Sequence, residues 1–464
     1  MVPRAAVPGV KPAAVPAAPS LPFPPRASAM SKLGMPFLCG FLFLAYSRVA
    51  DFTIPFLHLP IITASIALLF AFLNRGLFTA FSSRIGLALI GFTGWFLVCI
   101  PFSYWRGGSV HLLTDRWAKS LMVFFMIHGL VQTFRQCRRV MYILAGSTLI
   151  IAIMSFLLGR RSFGRLALPM GLLDNPNDLA QMLLLGLPCW WLIALNEGAV
   201  PFRRVPASVC IVLVLVALAQ TGSRSGFVAL TVLGFFIFRA VSLGGKVKLG
   251  LAAVAVAVLA LALVPESVSG RYVTFFGTDP EKPGDAADLR TVESTQQRVR
   301  LMKESIKLTL LNPVFGVGPG QFQAYSAQEF NTRGERALWR ETHCAYTQVS
   351  SELGLPGLVF FLAVIFFSLQ QAVAIFRACR QRRGLNDLAI TAYAIILSVV
   401  SLAVTAFFSS VAYAMFFPTL GGLTAAFYRI AKAEVASRGP APAPAKIQTR
   451  AALPGLRPRP AGTV

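Results

Sequence analysis

The chain has 464 residues, 56% of them apolar and only 13% charged, with a mean hydropathy of +0.67. A water-soluble domain carries about 25% charged residues, so a soluble enzyme is excluded. A nucleic-acid partner is not needed to explain the net charge of +25, because apolar runs of 18 or more residues recur, each long enough to cross about 30 Å of hydrocarbon. The sequence describes an all-α polytopic membrane protein.

In chain order, residues 1–30 are too rich in Pro and Ala to pack and are expected to be disordered. They lack the apolar core of a signal peptide, so the first span is read as a retained anchor, and Met30 is a second candidate start. About twelve spans are expected, near 33–50, 56–73, 85–103, 117–134, 140–158, 179–195, 205–220, 225–243, 247–264, 350–370, 388–408 and 411–430. Lys119 and His128 interrupt the fourth, and the last two nearly touch through Ser409 and Ser410. Nine spans thus fill residues 31–264, a long connection occupies 265–349, three more fill 350–432, and a basic tail expected to be disordered runs from 433 to 464.

Lys and Arg set the orientation. With the N-terminus in the cytoplasm, the short inner loops hold fourteen and the short outer loops eight. Both tails then lie inside, and the long connection lies on the outer, periplasmic side. The eight outer cations are retained against the positive-inside preference, which raises the question of a bound anion. Six of the seven cysteines fall in spans or inner flanks, and no disulfide framework or metal spacing is present.

None of the eighteen acids sits in mid-span; Asp174, Asp178 and Glu352 come nearest, at outer ends. A proton-coupled carrier would place them deeper. Before the sixth span, Gly171-Leu-Leu-Asp-Asn-Pro-Asn-Asp-Leu-Ala180 reads as a helix start, with Asn175 as cap and Pro176 in the first turn. It crowds Asp174, Asn175, Asn177 and Asp178 onto one rim. Between spans seven and eight, Gln220-Thr-Gly-Ser-Arg-Ser-Gly226 needs only Gly and Ser to turn. Arg224 is surplus to that turn. It is either a headgroup anchor or a bidentate clamp on a phosphate. Arg160, Arg161 and Arg165 can contact substrate or lipid headgroups.

In the long connection, Ser294-Thr-Gln-Gln297 fits a capping box. Arg298 to Leu311 should follow as an amphipathic helix, with Val299, Met302, Ile306 and Leu310 on one face and Arg298, Lys303 and Lys307 on the polar side. Asn312-Pro313 stops it. The Gly-rich turn Phe315-Gly-Val-Gly-Pro-Gly-Gln-Phe322 has no Lys-Ser/Thr after it, so it is no nucleotide loop. It serves either close backbone packing or donation of N–H groups to an anion. His343 precedes the tenth span, where a neutral imidazole can accept a hydroxyl proton. His58, His111 and His128 read as structural, and Glu352, before Gly-Leu-Pro-Gly357, holds a bend or orients a partner.

In this order the segments resemble the O-antigen ligase and polymerase superfamily of bacterial envelope glycosyltransferases. The carrying residues are Asn-Pro-Asn at 175–177, Ser223-Arg224, Arg298 fifteen residues before Pro313, Gly-Val-Gly-Pro-Gly at 316–320, His343 with Tyr346, and Glu352-x-Gly-x-Pro-Gly. The resemblance covers about residues 170–360. This chain departs from it in having Cys344 where Asn is frequent and Met302 where an aromatic is frequent. The resemblance implies transfer of a glycan from a polyprenyl (undecaprenyl) diphosphate carrier to an acceptor hydroxyl, on the periplasmic face of the inner membrane and without metal or cofactor. Arg224 and Arg298 would hold the diphosphate, His343 would activate the acceptor, and Asn175, Asn177, Arg160, Arg161, Arg165 and Glu352 are further candidates for substrate contact. The expected partners are the lipid-linked donor, a lipid or glycan acceptor and membrane lipids. A ligase acting on a lipid A-core acceptor is the first reading; a polymerase or a protein O-glycosylating transferase of the same superfamily follows. A polysaccharide flippase or exporter, from another class, would carry its Arg within the spans and need no outer base.

Overall fold

The computed structural model describes residues 27–162, 164–195, 201–263, 286–334, 339–382 and 384–438. The longer helices are α1 (Ala29–Ser47), α2 (Leu59–Leu73), α3 (Arg84–Cys99), α4 (Arg106–Leu112), α5 (Ala118–Leu130), α6 (Phe134–Leu158), α7 (Pro176–Leu195), α8 (Pro201–Gln220), α9 (Arg224–Ala240), α10 (Leu243–Leu263), α11 (Ala286–Leu311), α12 (Phe322–Thr332), α13 (Ala345–Cys379), α14 (Asn386–Thr405) and α15 (Phe416–Ser437). Each segment read as a span contains a helix. By length and composition, six helical stretches among the described residues can cross a membrane: Ala29–Ser47, Pro55–Leu73, Arg84–Phe102, Phe134–Leu158, Ala345–Cys379 and Asn386–Thr405.

Several boundaries differ from the sequence reading, for local reasons. The fourth span begins earlier, because α4 and α5 are joined by a π-helical turn at Leu113–Trp117. The fifth begins at Phe134, where the side chain of Thr133 accepts from the N–H of Gln136 and the Gln136 side chain reaches back to the cap. The expected capping box at Ser294–Gln297 is no cap at all: α11 starts at Ala286 and runs through it. The last span starts at Phe416, leaving 406–415 as a non-helical turn. The all-α membrane fold holds, with one short hairpin in addition. Arg160–Ser162 (β1) and Arg165–Ala167 (β2) pair antiparallel, Arg160 opposite Ala167, around Gly164 at φ 78°. Both expected disordered tails fall largely outside the described residues, as does the start of the long connection.

The helices pack as one bundle, α1 on α2 and α6, α13 on α3 and α14, α15 on α5. Their ends sort into two groups. At one end, Ser28 donates its N–H to Gln132 and its hydroxyl to Asn74, Arg138 pairs with Asp387 and Arg438 reaches the carbonyl of Gly384, so both ends of the described chain lie there. At the other, the N–H of Ala345 donates to Ala406 and Ser223 to Asn177.

The Gly-rich turn is fixed against a break in α13. Gly354 has φ 68° and ψ −173° inside that helix. The groups the break exposes find partners: the N–H of Leu355 donates to Pro313 at 2.7 Å, and the indole of Trp95 to the carbonyl of Leu353 at 2.8 Å, as a membrane protein requires of its backbone. Val317 and Gly318 donate to the carbonyls of Ser351 and Glu352, and Gly320 donates to the Glu352 carboxylate at 2.8 Å. Of the two readings of this turn, close packing holds: its N–H groups are engaged by the protein. A Cβ at Gly354 would lie 2.0 Å from the carbonyl oxygen of Val314, one at Gly316 2.4 Å from the carbonyl carbon of Glu352. Gly354→Ala should therefore cost roughly 1–3 kcal/mol, measurable as a lower Tm in detergent. Gly94→Ala, where a Cβ meets nothing within 4 Å, should leave Tm unchanged.

Candidate functional site

The polar cluster forms where α7, α9 and α13 begin, beside the middle of α11. Asn175 caps α7: its side chain accepts from the N–H of Asn177 at 2.9 Å, with Pro176 in the first turn. The side-chain oxygen of Asn177 accepts from the guanidinium of Arg165 at 2.8 Å and from the hydroxyl of Ser223 at 3.0 Å. Ser223 caps α9 by accepting from Gly226, and Arg165 also donates to the carbonyl of Thr221 at 2.8 Å. Arg165 and Asn177 therefore pin the Gln220–Gly226 turn, and with it the position of Arg224 on the first residue of α9. Arg161 donates to Gln220 at 3.3 Å. Arg160 forms an exposed pair with Asp174 at 2.7 Å, the type of contact that contributes about 0–1 kcal/mol.

Arg298, half-buried on α11, lies within electrostatic reach of both Asp178 and Arg224. Burial lowers its pKa most, Asp178 opposes that shift, and the like charge of Arg224 adds to it. It remains a cation at neutral pH. His343 is the third member. Burial, and then the charges of Arg298 and Arg340, bring its pKa down to about 4, so the imidazole is neutral at pH 7. Arg298 is thus within electrostatic reach of both Arg224 and His343, groups far apart in sequence.

The backbone of His343 is held in the left-handed region at φ 56°, uncommon outside Gly. Its N–H donates to the hydroxyl of Ser410 at 2.9 Å. Thr342 donates its hydroxyl to the carbonyl of Cys344 at 2.9 Å and meets Ser410 at 3.2 Å. Strained backbone persists where the surroundings over-determine it, and such positions gather at functional sites. Tyr346, one turn on, donates to the carbonyl of Ala403 at 2.8 Å.

Glu352 is buried. Besides Gly320 it accepts from the Tyr413 phenol at 2.7 Å, so its bonds brace the Gly-rich turn against α13 and the 406–415 turn. Four participants escaped the sequence reading. Glu341 is buried enough to raise its pKa, with Arg116 and a hydrogen bond to Ser410 acting the other way; Ser409 donates to Asp178 at 3.3 Å. Nothing in their local sequence marks them, apart from the closeness of Glu341 to His343. Arg116 carries one signal visible only in the fold, the π-helical turn that holds it. Among the described residues, no group of three His, Cys, Asp or Glu could hold a metal ion.

A family model described as O-Antigen ligase matches residues 209–362. The matched stretch contains Arg224, Arg298, the Gly-rich turn, His343 and Glu352; Asn175, Asn177 and Arg165 lie before it. No curated protein matches the chain. Over that stretch the chain is similar to the O-antigen ligase family, in agreement with its motif order and helical membrane architecture.

Proposed function

We propose that the protein is a glycan ligase that moves a polysaccharide from an undecaprenyl diphosphate carrier to a hydroxyl of a lipid A-core acceptor, on the periplasmic face of the bacterial inner membrane, with both termini cytoplasmic. The observation that carries this reading is the meeting of Arg224, Arg298 and a neutral His343 at one end of the bundle.

In such a transfer the bond between the anomeric carbon and the phosphate oxygen breaks, its electron pair leaving with the polyprenyl diphosphate. A bond from the acceptor oxygen to the anomeric carbon forms, and the hydroxyl proton passes to His343. Negative charge grows on the leaving diphosphate, so fixed cations there lower the barrier most. Arg224 and Arg298 supply them. The same Arg298 holds down the basicity of His343. A bound diphosphate neutralises that influence, so the base strengthens as the donor arrives. Direct displacement inverts the anomeric configuration. A polymerase uses the same donor chemistry and differs in its acceptor.

In a deletion strain, His343→Ala should leave polymer on the carrier and core lipid unmodified on a glycan gel; single repeat units alone would indicate a polymerase. Arg224→Lys should lose at least about tenfold in activity, since a point charge does not replace a bidentate fork, whereas full activity would reduce Arg224 to an anchor. The free-enzyme base titrates near pH 4, so kcat/KM should hold down to about pH 5 and fall as pH drops through His343 and protonates it. Arg298→Gln removes a charge that lowers this pKa, so the residual activity should show its acid limb at higher pH. Asn177→Ala removes the acceptor shared by Arg165 and Ser223 and should cost roughly 1–3 kcal/mol with loss of activity; Arg160→Ala, which removes an exposed pair, should do neither.

A further inference from the structure

The apolar face of α11 is turned outward. Leu301, Ser305 and Leu308 are buried, while Val299, Met302, Ile306 and Leu310 are 42%, 41%, 44% and 75% exposed. Arg298 sits at the edge of this stripe, with Met302 one turn further along the same side. Lys303 and Lys307 border the opposite edge.

The direction of the helix matters. Arg298 lies level with His343, at the start of α13. Further along, Thr309 meets Ser350 at 2.8 Å, and Pro313 accepts from Leu355 at 2.7 Å. The two helices therefore run side by side in the same sense, and α11 descends along α13 from its N-terminal end. Leu355 is ten residues into α13, about 15 Å along its axis, within the stretch able to cross a membrane. Leu355 and Val359 are themselves exposed there. The stripe from Val299 to Leu310, about 16 Å long, thus leads from the charged cluster to the start of the apolar part of α13.

We infer that this stripe is the track for the isoprenoid tail of the lipid-linked donor, its diphosphate gripped at Arg298 and its chain lying over Met302, Ile306 and Leu310 toward the bilayer. The inference rests on the proposed donor and adds where its lipid part binds. One anionic head carrying one long apolar chain matches a cationic edge continued by a stripe a single helix face wide. That area is narrow for a second copy of the chain, since stable protein interfaces bury about 1,200–2,000 Å².

The test uses the full-length protein in proteoliposomes, with the same glycan carried on undecaprenyl (C55) or geranyl (C10) diphosphate. Met302→Ser combined with Ile306→Ser changes exposed positions and should leave the fold intact. The double variant should raise KM for the C55 donor about tenfold, with kcat and the C10 KM unchanged. An equal effect on both donors, or none on either, overturns the track and leaves ordinary membrane lipid as the occupant. A benzophenone-bearing isoprenoid diphosphate gives a readout independent of turnover: it should cross-link to α11 and not to Val209 on α8, which is equally exposed at 53%. Cross-linking spread over both helices overturns the track. Failure of the unmodified protein to transfer from either donor overturns the proposed function, and the cross-link pattern still decides the track.

Discussion

Like charges repel, and this bundle holds Arg224 and Arg298 close enough for each to be felt by the other. Water would normally screen such a pair, but both sit at the edge of a low-dielectric slab, where repulsion is stronger. The fold answers by fixing the carriers of the charges. Arg224 stands on a helix start whose cap, Ser223, is tied through Asn177 to a second helix and through Arg165 to a hairpin. Asp178 opposes the charge of Arg298 from a third side. Under the proposed function that arrangement would suit a dianion, since a diphosphate between the two guanidinium groups would offset their repulsion.

Depth is organised by the break in α13. Gly354 interrupts the helix, and Pro313, Val314 and the turn after them fit into the gap. That contact sets how far α11 descends beside α13 and so keeps Arg298 at the level of His343. Glu352 and Tyr413 lock the same region to the turn at 406–415. The site thus depends on a wedge of glycines several residues away from any group with chemistry.

Much of this was legible in the sequence, because apolar runs report helices by hydrocarbon length alone and Asn175-Pro176 and Ser223 are local signals with local causes. Arg224 stood out as surplus to its turn and His343 by its place before a span, whereas Arg298 was set apart from its helix neighbours only by the family resemblance. What escaped depends on contacts distant in sequence. Ser410 has no local mark, and it matters only because its hydroxyl meets the N–H of residue 343. The Ser294–Gln297 pattern was read as a cap since its residue types fit, yet a helix beginning at Ala286 already supplies the intrahelical bonds there. The stripe on α11 showed as a periodicity, but its outward orientation is set by Leu301 and Leu308 packing inward with Val317 and Phe322.

The bond from His343 to Ser410 carries a consequence for biogenesis. A nascent chain that has threaded its helices as far as Cys379 already contains both guanidinium groups and the imidazole, but it lacks the hydroxyl that holds residue 343 in its left-handed conformation and the phenol that locks Glu352. These two contacts therefore form only after α14 and the 406–415 turn have been made. A chain ending at Cys379 thus holds every residue proposed to have a chemical role but neither of the contacts that fix residues 343 and 352.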